Sequence, residues 1–198
     1  MRIEVCGGIA SGKTTLAAAL SEKGYAPSFE RFQDNPFFEQ FYANRVRYAF
    51  ETEITYLLQH FSQINDAQIG TRVGVDFSLA LDLAYSYVTL QPADQRTFAS
   101  VLDRVLEKAE PPSLIVRLQC ESAVELARIH ARQRLQEMSI TVDYLDALEV
   151  AIDQALASPW FERVSVIRID SQRSDFRVDG AGRATVLHQI AAAVPAPG

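Results

Sequence analysis

The sequence predicts an α/β domain built on a parallel sheet of about five strands, with helices on both faces. Short apolar runs rich in β-branched residues alternate with long helical patterns. The first run is followed at once by a glycine-rich turn and an alanine-rich helix, which together form a βα unit. A chain of 198 residues, 48% of them hydrophobic, has room for one sizeable core, so we expect a single domain over residues 1–198.

Each predicted strand is separated from the next by at least one helix, as parallel pairing requires. The strands are expected at residues 2–7, 25–29, 74–78, 113–119 and 164–170. The helices are expected at about 14–24, 36–66, 80–90, 94–109, 122–136, 142–157 and 183–194. Ligands of such sheets bind at the carboxyl ends of the strands. The tail VPAPG is expected to be frayed and to carry no chemistry.

The composition limits the classes of partner. A formal net charge of −6 gives no electrostatic footprint for nucleic acid, so the expected ligand is a small anion. No apolar run approaches the length of a membrane span, so we expect no membrane partner. Cys6 and Cys120 lack metal-ligand or CxxC spacing, which predicts reduced core thiols and a cytoplasmic location. His130 and His188 also lack ligand spacing and are expected at the surface.

A phosphate-binding loop follows the first strand. The segment GGIASGKT, residues 7–14, fits G-x-x-x-x-G-K-[ST] between a strand and a helix, so the sequence predicts a P-loop domain that binds a nucleoside triphosphate. Loop N–H groups and the helix N-terminus would surround the phosphates, Lys13 would reach the β and γ phosphates, and Thr14 would bind Mg²⁺. The expected ATP-binding residues here are Gly7, Gly8, Ala10, Ser11, Gly12, Lys13, Thr14 and Thr15. The motif alone does not separate a small-molecule kinase from a GTPase, a motor or a regulatory ATPase.

Three further stretches narrow the choice. They are FERFQDNPFFEQFYANRVRYAFETEI (29–54), VDFSLALD (75–82) and LARIHARQRLQEMSITVDYL (126–145). In order and spacing they resemble the deoxyribonucleoside kinase family, from the phosphate loop to about residue 176. The resemblance implies an enzyme that transfers the γ-phosphoryl group of ATP to the 5′-hydroxyl of a deoxynucleoside with the help of Mg²⁺.

The third stretch resembles the arginine-rich helical lid of that family, at about residues 128–142. Its pattern R-x-x-x-R-x-R-x-x-E places Arg128, Arg132 and Arg134 where the family's arginines close over the donor phosphates. Arg128 and Arg132 are four residues apart, so on a helix they share one face and could clamp one phosphate chain. The alternative is a solvated helix face whose arginines form surface pairs.

The resemblance assigns Glu30 as the general base that accepts the proton of the 5′-hydroxyl. A carboxylate suits this role, because phosphoryl transfer leaves the protein mainly positioning and charge stabilisation. Tyr42 would hold the sugar 3′-hydroxyl together with Glu137 of the lid. Without the family match, Glu30 could simply cap a strand end and Tyr42 could be a half-buried surface tyrosine.

The second stretch departs from the family pattern. The family usually has an acid, an arginine and a serine there, whereas this chain has Asp76, Phe77 and Ser78. Asp76 is expected to help bind Mg²⁺. Loss of a fixed cation beside the transferring group should be costly, so another arginine serves or the activity is altered. Arg31 is the nearest candidate in sequence and joins Glu30, Lys13, Arg128 and Arg132 as an expected catalytic residue.

The predicted base pocket also departs from the family. Glu53 falls where the family mostly has a glutamine, and an ionised carboxylate only accepts hydrogen bonds. Guanine offers two adjacent donors, Asp82 adds a second acceptor, and His60 could donate to O6. The pattern favours a purine, with deoxyguanosine first and deoxyadenosine second. The alternative is that Glu53 pairs with Arg45 or Arg47 and never meets a base.

Three expectations complete the hypothesis. Asp170 and Phe176 follow the last strand, where the family has a loop around the donor base, although such sequences often form plain turns. The helical pair that begins at YAFETEITYLLQHF has more apolar residues than one stripe needs, which suggests a homodimer. The rival functions are a nucleoside monophosphate kinase and a catalytically impaired ATP-binding regulatory protein.

Overall fold

The computed structural model describes residues 1–66, 70–178 and 180–194, so the tail at 195–198 lies outside the described residues. Five strands form one parallel sheet: β1 (Arg2–Gly7), β2 (Ala26–Ser28), β3 (Val73–Val75), β4 (Leu114–Gln119) and β5 (Val166–Asp170). Their spatial order is β2-β3-β1-β4-β5, with every neighbouring pair parallel. The predicted α/β class with a five-stranded parallel sheet is confirmed.

Helices connect the strands and cover both faces of the sheet. They are α1 (Lys13–Ala19), α2 (Phe38–Ala43), α3 (Arg45–Asp66), α4 (Leu79–Thr89), α5 (Pro92–Leu106), α6 (Ser122–Ala131), α7 (Val142–Leu156) and α8 (Ala181–Ala193). Short 3-10 helices occupy Leu20–Lys23, Phe32–Asp34 and Leu135–Ser139. Within the described ranges, no helix combines the length and the apolarity that crossing a membrane would require.

Successive side chains of a strand point to opposite faces, so the sheet supports two apolar cores. Ile3 and Val5 of β1 pack on one face with residues of α1 and α8. Cys6 of β1 belongs to the core on the other face, which α3, α4, α5 and α7 complete. Cys6 and Cys120 are both buried and free, as predicted. The sheet therefore holds the ends of β1, β2 and β3 rigidly at one edge, where the site lies.

Two predicted helices are shorter than expected, for local reasons. The pattern at 36–66 is interrupted at Asn44, whose side chain accepts a hydrogen bond from the Arg47 N–H and so caps α3. The pattern at 122–136 ends at Ala131, and Gln133 has a φ of 52°, which an α-helix does not allow. The lid is therefore the end of α6 followed by a 3-10 helix, and not one continuous helix.

Candidate active site

A cavity of about 570 Å³ lies at the carboxyl ends of β1, β2 and β3. The phosphate loop follows β1, Glu30 follows β2, and Asp76 follows β3, so sheet topology alone brings these three segments together. Side chains of α2, α3 and α4 and of the lid line the rest of the cavity. Its volume is in the range of small-molecule sites.

The phosphate loop has the conformation that anion binding needs. Gly12 has a φ of 107° and caps α1, a backbone geometry that favours glycine. Lys13 donates from Nζ to the carbonyl oxygens of Gly7 at 3.0 Å and Gly8 at 2.9 Å, so its ammonium lies across the loop. The buried Ser11 hydroxyl has no hydrogen-bond partner among the described residues. Free donors at a helix N-terminus suit a phosphate group.

Asp76 connects the phosphate loop to Glu30. Its Oδ2 accepts a hydrogen bond of 2.6 Å from the Thr14 hydroxyl, and its Oδ1 accepts one of 2.6 Å from the Glu30 N–H. The carboxylate is 4% exposed, so this bridge is rigid. A hydroxyl and a single carboxylate are hard oxygen ligands, and Mg²⁺ bound with nucleotide phosphates typically needs no larger protein cluster. The two residues expected to bind the metal are thus in direct contact.

The Glu30 carboxylate is ionised and faces the cavity. Burial alone would raise its pKa, but the adjacent His60 imidazole and the positive charges of Lys13 and Arg134 together lower its pKa below the ordinary value. Its Oε1 lies 3.4 Å from His60 Nε2, and its side chain remains 35% exposed. An ionised, partly accessible carboxylate beside the phosphate loop can accept a hydrogen bond from a substrate hydroxyl.

His60 and Asp82 line the cavity as a pair. His60 Nδ1 lies 2.9 Å from both oxygens of Asp82, so each group already has a partner within the protein. Phe77 is 1% exposed, and its ring stacks on the imidazole with centroids 4.3 Å apart and an interplanar angle of 7°. Phe77, which replaces the family arginine, therefore lies inside the site. It is beside His60, which was expected to contact the nucleobase.

Glu53 differs in charge from the sequence expectation. It is buried and accepts a hydrogen bond of 3.0 Å from Thr89, whereas Arg47 pairs with Glu51 and Arg45 lies over the Tyr144 ring. Burial raises the pKa of Glu53 to about 8; the Thr89 hydrogen bond only partly offsets this, and nearby carboxylates add to it. The carboxyl group is therefore mostly protonated at pH 7, so it can donate as well as accept.

The lid arginines are held by protein groups in this conformation. Arg128 donates to the Ser171 carbonyl at 3.0 Å and to the Ala10 carbonyl at 3.3 Å. Arg132 donates from Nε to Glu137 Oε2 at 2.7 Å, and Arg134 lies 3.4 Å from the other oxygen. Arg132 is the C-cap residue of α6 and keeps a helical conformation, with its N–H donating to the Arg128 carbonyl at 3.2 Å. Arg128 and Arg132 therefore lie one turn apart, as expected, and both line the cavity.

Tyr42 and Glu137 both line the cavity, where they were expected to meet the sugar. Burial and the neighbouring Glu137 charge raise the pKa of Tyr42 to about 12, with Arg45 and Arg132 opposing. The phenol therefore stays protonated at neutral pH and can act as a hydrogen-bond donor.

Outside the phosphate loop, three expected site residues are not among the described residues that line the cavity: Arg31, Asp170 and Phe176. Arg31 is exposed and is not among the described residues that line the cavity. Asp170 accepts hydrogen bonds from the N–H groups of Gln172 and Arg173, so it closes a turn. Phe176 is 2% exposed, and its ring packs against Gly12 of the phosphate loop.

Sequence reasoning missed Glu125, which lies directly under the phosphate loop. It is fully buried, a side chain at Gly8 would collide with its carboxyl group, and neither oxygen has a hydrogen-bond partner among the described residues. Burial, and then the charge of Glu149, raise its pKa to about 8 despite nearby cations. Helical spacing gave a signal, because Ser122, Glu125 and Ile129 share the buried face of α6.

The fold and the site together define a P-loop phosphotransferase of the α/β class. A family model described as deoxynucleoside kinase matches residues 3–195, and the chain belongs to the deoxynucleoside kinase family. Members of this family are phosphotransferases. The resemblance of the three sequence stretches to this family and the predicted enzyme class are therefore confirmed.

Individual relatives agree with this assignment. Deoxyguanosine kinase from Bacillus subtilis (strain 168) is 29% identical over 185 residues, which cover 88% of each chain. Deoxyadenosine kinase from Dictyostelium discoideum is 29% identical over 161 residues, which cover 78% of this chain and 66% of that one. The structure of deoxyadenosine kinase from M. mycoides with bound dCTP matches with a TM-score of 0.79 at 21% identity, covering 97% of this chain and 100% of that chain.

Proposed function

We propose that this protein transfers the γ-phosphoryl group of ATP to the 5′-hydroxyl of a purine deoxynucleoside, with Mg²⁺ as cofactor. The observation that carries the proposal is the pair of hydrogen bonds that the Asp76 carboxylate accepts. One comes from the Thr14 hydroxyl and the other from the Glu30 backbone N–H, each at 2.6 Å. This bridge holds the candidate general base beside the loop that would hold the donor phosphates. Phosphoryl transfer depends mainly on such positioning.

Each part of the site has a role in this reaction. The loop N–H groups and Lys13 would bind the β and γ phosphates, and Thr14 and Asp76 would hold Mg²⁺, which when bound neutralises charge on those phosphates. Glu30 would orient the 5′-hydroxyl and accept its proton. The lid arginines Arg128 and Arg132 would exchange their present carbonyl and carboxylate partners for phosphate oxygens.

The purine preference rests on the relatives. A protonated Glu53 combines a donor and an acceptor, which match the donor beside an acceptor on the Watson–Crick edge of each nucleobase, so Glu53 accommodates a purine without selecting it over a pyrimidine. Deoxyguanosine remains the first choice and deoxyadenosine the second, in line with the names of the relatives. Tyr42 and Glu137 would hold the sugar 3′-hydroxyl.

A substrate panel tests the proposal. The protein is incubated with labelled ATP, Mg²⁺ and each common deoxynucleoside or its monophosphate, and initial rates are compared. We expect deoxyguanosine to be fastest, then deoxyadenosine. Faster turnover of a monophosphate would favour a nucleoside monophosphate kinase, transfer to pyrimidine nucleosides alone would remove the purine preference, and ATP binding without any transfer would favour a regulatory protein.

Cellular location and assembly are part of the same proposal. The free, buried thiols Cys6 and Cys120 support a cytoplasmic location, because no disulfide stabilises the described fold. A homodimer formed through α3 and its neighbours is supported by the exposed apolar residues Val46 and Leu58 of α3. Sedimentation equilibrium would test the dimer, and a monomer at micromolar concentration would contradict it.

A further inference from the structure

We propose that His60 is the positioning residue for Glu30: as a buried imidazolium held by Asp82, it fixes the Glu30 carboxylate and supplies the positive charge that Phe77 does not. This inference rests on the proposed function, because it assigns a partner to the general base of that reaction. The sequence predicted that His60 contacts the nucleobase of the substrate, whereas this inference assigns it a contact with the Glu30 carboxylate.

The His60 imidazole lies between two carboxylates, those of Asp82 and Glu30. Nδ1 lies 2.9 Å from both oxygens of Asp82, and Nε2 lies 3.4 Å from Oε1 of Glu30. Glu30 is the acidic group that faces the buried Nε2 atom. Nε2 makes no hydrogen bond of standard geometry with any of the described residues. An ionised carboxylate only accepts hydrogen bonds, so with Asp82 and Glu30 both ionised each ring nitrogen carries a proton.

The groups around the His60 imidazole keep it positively charged. Burial alone would lower the pKa of His60 and raises that of Asp82, but the charge and hydrogen bond of Asp82 and the nearby Glu30 carboxylate outweigh burial at the imidazole and raise the pKa of His60 to about 10. The imidazole also stacks on Phe77 at 4.3 Å, which places a cation on an aromatic face. Tyr56 stacks at 5.8 Å, so aromatic contacts restrict the orientation of the ring.

The other cations near the site are bound to other groups or lie outside the cavity. Within the described cavity lining, Lys13 donates to carbonyl groups of the loop, and Arg132 and Arg134 bind Glu137. Arg31, the candidate nearest in sequence, is exposed and does not line the cavity. The imidazole is thus the cation that contacts the general base directly.

A kinetic experiment compares His60→Gln with His60→Arg. We expect His60→Gln to lower kcat for deoxynucleoside phosphorylation at pH 7 by roughly tenfold to a hundredfold, with the KM for ATP within about twofold of wild type. His60→Arg keeps a cation and should recover most of the lost rate. His188→Gln, which removes an exposed imidazole on α8, is the matched control and should retain the wild-type rate.

A spectroscopic experiment reports on the ring without requiring turnover. The chain has three histidines, so ¹⁵N-labelled imidazoles give three sets of signals, which His130→Gln and His188→Gln assign. We expect both nitrogens of His60 to remain protonated at pH 8. This measurement uses the wild-type protein, so it tests the inference even if His60→Gln does not fold.

The outcomes are distinct. Equal losses in His60→Gln and His60→Arg would overturn the inference, because shape and not charge would then matter. A neutral His60 imidazole at pH 7, or full activity of His60→Gln, would also overturn it. If the wild-type protein phosphorylates no nucleoside at all, the proposed function fails, whereas a doubly protonated His60 would still establish the buried imidazolium between Asp82 and Glu30.

Discussion

Glu125→Gln should remove a pH dependence of stability that the buried carboxyl group imposes. Glu125 has a folded-state pKa of about 8 against an ordinary value of 4.5, so the folded state binds an extra proton between these two values. Stability then falls as pH rises from about 4.5 through about 8, at about 1.4 kcal/mol per pH unit. Between pH 5.5 and pH 8 the loss amounts to about 3 kcal/mol, a large share of the stability of an ordinary domain.

The assay is urea unfolding of wild type and variant at pH 5.5, 6.5, 7.5 and 8, followed by circular dichroism. Other groups with raised pKa values, such as Glu53 and His60, act equally in both proteins, so the difference in unfolding free energy isolates Glu125. That difference should move in favour of Glu125→Gln by about 3 kcal/mol over this range. Glu121→Gln, on an exposed residue beside α6, is the matched control and should track wild type. A difference that stays constant with pH would refute the argument.

Three further changes probe the nucleotide site. Raising pH from 7 to 9 ionises Glu53, which then only accepts, so the ratio of kcat/KM for deoxyguanosine over deoxyadenosine should increase; in Glu53→Gln this ratio should not change with pH. Asp76→Asn removes the carboxylate charge that accepts the Thr14 hydrogen bond and that would hold Mg²⁺ in the proposed function, and steady-state assays should show a loss of about tenfold or more in kcat with a higher Mg²⁺ requirement. Arg132→Ala should lower kcat by about tenfold or more with little change in unfolding free energy, since Arg132 is partly exposed and Arg134 still faces the buried Glu137; a clear loss of stability would contradict this role.

The fold and the centre of the site could be predicted because they depend on short, local signals. The segment GGIASGKT carries its own geometry, and the alternation of strands and helices places everything that follows β1, β2 and β3 at one edge of the sheet. Glu30, Thr14 and Asp76 are far apart in sequence, and the topology alone makes them neighbours. The resemblance to the family added the order in which these residues occur.

Charge states and partners could not be predicted from the sequence. The protonation of Glu53 depends on burial among other acidic groups, and the pairing of His60 depends on how α3 packs against α4. Phe176 lies in the loop after β5, as expected, but the sequence does not reveal that its ring fills the space beside Gly12. The end of α6 at Ala131 was missed because a left-handed glutamine at residue 133 has no clear sequence signature.

Glu30→Gln tests the central claim most directly, because it keeps the shape of the side chain and removes the carboxylate that would accept the proton. The rate of γ-phosphoryl transfer to deoxyguanosine is measured at saturating ATP and Mg²⁺, and ATP binding is measured separately by calorimetry. Glu39→Gln, on an exposed residue of α2, serves as the control. The account predicts a loss of about a hundredfold to ten-thousandfold in rate with unchanged ATP affinity. A variant that phosphorylates deoxyguanosine within about threefold of the wild-type rate would contradict it.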